Sequence, residues 1–168
     1  MTMVTSGYRT ITIITASILG AVSVNAAGPL DAAHFTFGTG VYDFHEAKQA
    51  LEFRVEYHPG WKLAWFRPFV GLSGTTKGSV YSYFGLLARV RITDRLTLIP
   101  SAAAGAYEKG NAKDLGHRLE FRTGGEISFR VYDGFRLGIA FHHISNASIG
   151  AENPGLELLV ATYSVPLP

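Results

Sequence analysis

The feature that most constrains this chain is a long stretch in which polar and apolar residues alternate. Across residues 118–131 the even positions read Arg, Glu, Arg, Gly, Glu, Ser and Arg, while the odd positions read Leu, Phe, Thr, Gly, Ile, Phe and Val. Because successive side chains of a strand point to opposite faces, this pattern predicts a β-strand with one polar and one apolar face. A typical globular strand has roughly 5 or 6 residues, whereas a tilted strand that crosses a bilayer needs about 9 to 11. The length therefore favours a membrane-spanning strand.

Composition points the same way. The chain has 168 residues, of which 47% are hydrophobic, and its mean hydropathy is +0.15. No long apolar helix stands in the body of the sequence to explain that value. The same alternation recurs in residues 51–57, where Leu, Phe, Val and Tyr alternate with Glu, Arg and Glu. In a soluble sandwich the charged face would meet water, whereas in a transmembrane barrel it lines the lumen and the apolar face meets lipid.

The first 26 residues have the pattern of a secretory signal peptide. Arg9 is the single charged residue before position 31, an apolar run follows it, and the segment ends in the small-residue sequence Val24, Asn25 and Ala26. A positively charged start, an apolar middle and a small-residue end are typical of such a signal. We therefore expect residues 1–26 to be removed on export and residues 27–168 to form one β-barrel domain.

Eight strand segments are predicted in the remaining chain: 34–44, 50–58, 63–72, 80–92, 96–107, 117–132, 135–146 and 156–167. Turn residues stand between them at 58–60, 71–78, 93–95 and 132–134. An even number of strands is what a bacterial outer-membrane barrel requires. The predicted fold is an all-β, eight-stranded antiparallel transmembrane β-barrel, whose lumen is filled by side chains because eight strands leave no pore. The aromatic residues near strand ends fit either an interfacial girdle or internal packing; they are Trp61, Trp65, Tyr81, Tyr83, Tyr132 and Tyr163.

Several classes of function are disfavoured. The chain has no cysteine, so disulfides, thiolate metal clusters and a cysteine nucleophile are excluded. A net charge of +2 is too small to indicate nucleic-acid binding. The six histidines are too scattered to form a metal ligand set, and Gly38-Thr39-Gly40 lacks the third glycine of a dinucleotide loop. We expect no metal or nucleotide cofactor, and acidic residues near loops, such as Asp43 and Asp114, to face water.

The last predicted hairpin carries the candidate chemistry. His143 and Ser145 are two residues apart, so on a strand they share one face and the imidazole can approach the hydroxyl. Glu157 lies near the start of the next strand, where a carboxylate can hold the imidazole tautomer of a Ser-His-Glu arrangement. Asn153 and Asn146 are candidate donors to an oxyanion. Taken singly, His-x-Ser at a strand end and Asn-Pro-Gly in a turn are ordinary features.

The parity of these residues predicts that they lie outside the barrel. His143 and Ser145 continue the apolar set of their strand, and Glu157 shares the parity of Leu159 and Tyr163. A polar cluster that faces the bilayer is costly unless its members satisfy one another. An enzyme whose substrate is a membrane lipid has a reason to keep such a cluster there.

The residues 143–147, His-Ile-Ser-Asn-Ala, together with Asn153, Gly155 and Glu157, resemble the carboxy-terminal signature of the lipid A 3-O-deacylase (PagL) family. The resemblance implies an eight-stranded outer-membrane barrel that hydrolyses the ester-linked hydroxyacyl chain at position 3 of lipid A. It further implies Ser145 as the nucleophile, His143 as the general base and Glu157 as its orienting carboxylate. Asn153 is implied as an oxyanion contributor and Asn146 as a weaker one, while His142 does not match a motif position.

Two other functions remain open at this point. A non-catalytic structural or adhesin barrel would not use the Ser, His and Glu spacing, and a phospholipase or acyltransferase would keep the three residues but act on another acyl donor or acceptor. The expected partners are lipopolysaccharide and the outer membrane, with no nucleic acid; the oligomeric state, monomer or homodimer, is not predicted.

Overall fold

The structure is a computed structural model, and it describes residues 32–43, 49–132 and 134–168. These residues form nine antiparallel β-strands. The strands are β1 (His34–Tyr42), β2 (Ala50–His58), β3 (Arg67–Thr75), β4 (Val80–Leu87), β5 (Val90–Arg91), β6 (Leu96–Glu108), β7 (Leu119–Tyr132), β8 (Phe135–Ser145) and β9 (Leu156–Pro166). Among the described residues, no helix has the length and apolarity to span a membrane.

The sheet closes on itself. Apart from β4 and β5, each strand pairs with its neighbour along the chain; β1 also pairs with β9, and β4 pairs with β6. The short β5 pairs with β6 as well, so β4 and β5 are two segments of one strand of the wall. The result is a closed eight-stranded antiparallel β-barrel, as the sequence predicted.

Pro100 of β6 explains why β4 and β5 are separate segments. The carbonyl of Pro100 accepts a hydrogen bond from the Ala88 backbone N–H at 3.0 Å, which shows that the backbone polar atoms of Pro100 face β4 and β5. Proline has no N–H, so one bond of the ladder is missing on this side. The regular pairing of β4 therefore stops at Leu87 and resumes at Val90.

Side chains divide cleanly between the lumen and the outer surface. Along β2, residues of one parity are buried and those of the other parity are exposed, over the whole strand. Ala50, Glu52 and Arg54 represent the buried set, and Leu51 and Phe53 represent the exposed set. Exposed apolar side chains cover every strand of the wall, as expected of a surface that meets lipid.

The lumen holds a network of buried charges. Arg122 donates to Glu56 at 2.8 Å and stacks over the Tyr83 ring at 4.1 Å. The Tyr83 hydroxyl donates to the same carboxylate oxygen at 2.8 Å, and Arg54 pairs with Glu52 at 2.9 Å. Side chains fill the interior of an eight-stranded barrel, and charged side chains can be buried there because each contacts a group of opposite charge.

One close approach in the lumen needs glycine. A Cβ at Gly71 would overlap the Tyr83 ring, which lies against the backbone of β3. Gly71 lies within β3, which continues to Thr75. The predicted turn across residues 71–78 was therefore wrong in its first half. The turn follows Thr75, where the Gly78 N–H donates to the Thr75 carbonyl at 2.9 Å.

Other predicted boundaries can be compared in the same way. The third strand begins at Arg67 and not at 63, because Leu63 and Phe66 instead bond to each other in a separate small hairpin. The remaining predicted segments overlap observed strands; residue 44 of the first segment and residue 133 of the predicted turn 132–134 lie outside the described residues. The proposed signal peptide, residues 1–26, also lies outside them.

The two ends of the barrel differ in their connections. At one end, called here the short-turn end, brief connections join β5 to β6 and β7 to β8, and the strands β1 and β9 respectively begin and finish there. At the other end, the long-loop end, residues 109–118 and 146–155 make longer connections. The connection between β3 and β4, at the long-loop end, has four residues, and the connection between β2 and β3, at the short-turn end, spans residues 59–66.

The aromatic residues fall into two groups. Tyr81 and Tyr83 are buried in the lumen, so the internal-packing alternative is correct for them. Trp61, Trp65, Tyr132 and Tyr163 are exposed toward the short-turn end, where an interfacial girdle is expected.

Replacing Arg122 with alanine will destabilise the barrel, because the Glu56 carboxylate loses a buried cationic partner. Breaking one side of a buried ion pair costs about 3 kcal/mol or more. Urea unfolding of the barrel in detergent measures the loss of free energy. Arg95→Ala is the matched control: Arg95 is exposed at a turn and should change the stability by about 0.5 kcal/mol or less. Equal stability of the two variants would contradict the role given to the lumen network.

Candidate active site

The strand pair β8–β9 brings His143 and Glu157 together. The two residues are direct cross-strand partners, and their side chains lie on the outer face of the barrel near the long-loop end. Nδ1 of His143 lies 3.2 Å from Oε1 of Glu157. Their side chains are 44% and 32% exposed, so the pair is partly shielded and still accessible. A carboxylate in this position favours the tautomer with the proton on Nδ1.

Gly155 supports the other edge of the imidazole. It adopts a left-handed conformation with a φ of 59°, and a Cβ at this position would lie 2.8 Å from Cε1 and 3.3 Å from Nε2 of His143. The ring of His143 therefore rests against the bare backbone of Gly155. With Nδ1 turned to Glu157, Nε2 is the nitrogen left to act as a base.

Ser145 stands two residues beyond His143 on the same outer face of β8. It is half-buried, and its strand partner on the other side is Phe121 of β7. The described residues include no hydrogen bond between the Ser145 hydroxyl and the His143 ring. Catalytic hydrogen bonds are often long before substrate binds, so the arrangement remains compatible with a serine nucleophile.

The two asparagines organise the loop that follows Ser145. Oδ1 of Asn153 accepts a hydrogen bond from the Asn146 backbone N–H at 3.0 Å, which ties Asn153 to the residue next to Ser145. Nδ2 of Asn153 has a single long contact, 3.4 Å, with the Ser148 hydroxyl. A hydrogen bond of this length is weak, and the amide can exchange it for a stronger acceptor.

Asn146 serves a different purpose in the structure. Its side chain is fully buried, and its amide nitrogen donates to the carbonyls of Leu115 and Glu152 at 2.7 Å each. Both amide hydrogens are therefore used within the protein. In this arrangement the side chain of Asn146 holds the loop 146–155 against the loop 109–118, and its amide is not free to meet an oxyanion.

A residue that the sequence placed in solvent lies beside the site. Asp43 is buried, its backbone N–H donates to the Glu157 carbonyl at 2.8 Å, and its carboxylate pairs with Lys113 at 3.3 Å. The expectation that Asp43 faces water was wrong, because its carboxylate, just after β1, pairs with Lys113 of the loop 109–118. No periodicity or motif marks this contact, since Lys113 is far away along the chain.

The expectation for Asp114 is correct by contrast. Asp114 is exposed on the loop 109–118, accepts a hydrogen bond from Lys109 at 2.6 Å and from the Gly116 N–H at 3.0 Å. The contact with Lys109 lowers the pKa of Asp114 below its ordinary value. His142, of opposite parity to His143, points into the lumen, where Nδ1 lies 3.3 Å from Arg54.

An apolar groove of about 600 Å³ runs along the outer wall next to Ser145. Phe121 is the link, because it lines the groove and is also the strand partner of Ser145. Small residues of β6 form the floor and larger apolar residues form the sides. The outward side chains that line the groove are Pro68, Val70, Phe84, Leu86, Ala102, Ala104 and Phe121.

The arrangement is suited to nucleophilic chemistry on a lipid. A hydroxyl, an imidazole and a carboxylate share the outer surface near one end of the barrel, and an apolar groove begins on the neighbouring strand β7. No cluster of three or more His, Asp or Glu side chains capable of holding a metal ion occurs among the described residues.

Comparison with known proteins gives a family and a fold. The family model described as lipid A 3-O-deacylase (PagL) matches residues 45–166. No curated protein sequence matches the chain. Among solved structures, the outer membrane enzyme PagL is 17% identical with a TM-score of 0.59, and the match covers 80% of this chain and 99% of that one.

Two further structures share the barrel. A de novo designed transmembrane β-barrel is 8% identical, with a TM-score of 0.61 over 82% of this chain and 96% of its own. Neisserial surface protein A is 9% identical, with a TM-score of 0.54 over 80% of this chain and 96% of its own. At these identities the structural likeness concerns the fold alone.

Proposed function

Because the chain belongs to the lipid A 3-O-deacylase (PagL) family, we propose that it hydrolyses the ester that joins a 3-hydroxyacyl chain to position 3 of lipid A. The family and the barrel fold point to the bacterial outer membrane. The observation that carries the proposal is the His143–Glu157 pair on the outer face, with Ser145 on the same strand. A triad in this position meets a substrate that is itself part of the membrane.

We assign the roles of a serine esterase to these three residues. His143 takes the hydroxyl proton through Nε2 as Oγ of Ser145 attacks the ester carbonyl carbon. The tetrahedral intermediate then expels the sugar oxygen, which receives the same proton from His143. Water, deprotonated by His143, attacks the acyl-enzyme, and the 3-hydroxy fatty acid leaves as Ser145 regains its proton.

Glu157 keeps the ring of His143 in the productive tautomer and stabilises the imidazolium during each proton transfer. Its distance of 3.2 Å from Nδ1 supports this role. Gly155 is a positioning residue, because its lack of a side chain leaves room for the Cε1–Nε2 edge of the His143 ring.

Asn153 is the side chain we propose as an oxyanion donor. Its Nδ2 is engaged only in the long contact with Ser148, while its Oδ1 is anchored on the Asn146 N–H. The donor is therefore held near Ser145 and still available. A preorganised donor aimed at the developing oxyanion is commonly the largest single contribution to acyl transfer.

The groove beside Phe121 supports an acyl substrate. A hydrocarbon chain that moves from the lipid into the groove stays in an apolar environment. Its binding therefore has little desolvation cost. Ser145 of β8 pairs with Phe121 of β7, and Phe121 pairs with Ala104 of β6. The groove therefore begins one strand away from the proposed nucleophile. We also propose that residues 1–26 direct export, since an outer-membrane protein must cross the inner membrane.

Ser145→Ala will abolish deacylation without loss of the fold. Removing the nucleophile of a serine hydrolase costs roughly three orders of magnitude or more in rate. Mass spectrometry of lipid A incubated with the refolded chain in detergent should show loss of one 3-hydroxyacyl group with the wild type alone. Ser82→Ala, which removes an exposed outward hydroxyl of β4, is the control and should retain activity. A fully active Ser145→Ala variant, or unchanged lipid A from folded wild type, would contradict the proposal.

Gly155→Ala will lower kcat more than stability. The new methyl group meets the His143 ring, and displacement of a catalytic group by about 1 Å costs about 100-fold in rate. Gly78→Ala is the matched control, because Gly78 also has a positive φ, 77°, but nothing lies near its missing Cβ. Both variants should lose similar stability, whereas only Gly155→Ala should lose activity. Equal activities would remove Gly155 from the site.

Ala104→Phe will fill the groove and select against long acyl chains. We expect kcat/KM for a long-chain ester to fall roughly tenfold or more, since the chain loses apolar contacts in the groove. The rate with a short-chain ester, which does not reach the groove, should be unchanged. Ala161→Phe, an outward residue on β9, is the control on the other side of the site. If Ala161→Phe alone discriminates between the esters, the acyl chain lies along that wall instead.

A further inference from the structure

Thr123 is a polar residue on the apolar outer face of β7. Its side chain is exposed, and in the described part of the barrel wall its hydroxyl has no hydrogen-bond partner. The other outward residues of this strand carry no polar side-chain atom; they are Leu119, Phe121, Gly125, Ile127, Phe129 and Val131. An unpaired hydroxyl is disfavoured in an apolar environment, so its position on this face indicates a polar partner outside the chain.

Thr123 connects the proposed triad to the apolar groove. It is the direct strand partner of His143 on β8 and of Ala102 on β6, and Ala102 lines the groove. Beyond Ala102 the same row of outward residues continues through Leu86 to Pro68, which both line the groove as well. One row therefore runs from the triad into the groove, and Thr123 lies where the two meet.

The adjacent row has a larger side chain at the equivalent position. Phe121 is the strand partner of Ser145 on one side and of Ala104 on the other, so a phenyl-bearing residue separates the serine from the groove floor. Thr123 is the smaller diagonal neighbour of Ser145 on the same face, and such neighbours have Cα atoms about 7 to 8 Å apart. An acyl chain that extends from Ser145 to the groove therefore passes over Thr123.

We propose that the hydroxyl of Thr123 binds the hydroxyl of the 3-hydroxyacyl chain and selects hydroxyacyl esters over unsubstituted acyl esters. This inference rests on the proposed deacylation and adds a specificity residue to it. The substrate hydroxyl is carried by the second carbon beyond the ester carbonyl, so it lies just past the bond that Ser145 attacks. That short path, extended by one hydrogen bond of about 2.8 Å, is long enough to reach from the serine oxygen to Thr123.

The chemistry of the two hydroxyls is matched. A threonine hydroxyl both donates and accepts hydrogen bonds, as does the hydroxyl of the acyl chain. Next to the groove each of them lacks water, so a bond between them satisfies both groups. An unsubstituted acyl chain leaves the Thr123 hydroxyl unpaired, and the site therefore favours the hydroxylated chain.

The test compares two synthetic esters of equal chain length, one 3-hydroxyacyl and one unsubstituted. They are given to the wild type, to Thr123→Val and to Thr39→Val, because valine has the shape of threonine without the hydroxyl. Thr39 is the matched control: it is an exposed outward threonine of β1 whose strand partners are Phe53 and Ala161. In detergent, kcat/KM is measured for each ester, and isothermal titration calorimetry gives the affinity for each free fatty acid.

We expect the wild type and Thr39→Val to favour the 3-hydroxy ester roughly five- to tenfold, the effect of one net hydrogen bond, and Thr123→Val to bring this ratio close to one. A merely structural effect of the substitution would lower both rates together and leave the ratio unchanged. An unchanged ratio would overturn the inference while deacylation itself stands.

The two fatty acids separate this inference from the proposed function. If neither ester is hydrolysed by the folded wild type, the proposed deacylation fails, and the affinities then decide the role of Thr123. Tighter binding of the 3-hydroxy acid by the wild type, lost in Thr123→Val, supports the inference. Equal binding of the two acids by the wild type overturns it.

Discussion

The absence of water in a bilayer is the constraint on which the rest of this structure depends. Each backbone N–H and C=O that meets hydrocarbon without a partner costs several kcal/mol, so a sheet can span the membrane only if it has no free edge. The pairings of β1 with β9 and of β4 with β6 remove both edges. Pro100 lacks a backbone donor, and opposite it the neighbouring strand divides into β4 and β5.

Closure also decides where charge can be placed. Eight strands enclose a lumen that only side chains fill, and the inward residues of β2 and β7 bring Glu56 and Arg122 into contact. The outer wall is apolar because lipid solvates no charge. His143, Ser145 and Glu157 are the departure from that rule, and they lie at the end of β8 and the start of β9, close to the polar surface of the membrane. There the cost of polar groups is smallest, and the ester of a membrane lipid is within reach.

The proposed site depends on long-range contacts as much as on its own hairpin. The buried Asn146 joins the loop 146–155 to Leu115, and Asp43 joins the backbone of Glu157 to Lys113. These contacts fix a loop that would otherwise move at the membrane surface.

The sequence by itself determined the barrel, its strand number and the outer position of the candidate triad, because a period of two assigns every residue of a spanning strand to lipid or lumen. His143, Ser145 and Glu157 are close in the chain, so a single hairpin accounts for their proximity. Only the tertiary structure decided the role of Gly155, the use of the Asn146 amide, the burial of Asp43 and the groove beside Phe121. The contact of Gly155 with His143 depends on the left-handed backbone of a loop, and the other three depend on strands or loops that are distant in the chain. Alternation specifies the face of a residue, whereas its neighbours across the wall follow from strand register and loop contacts.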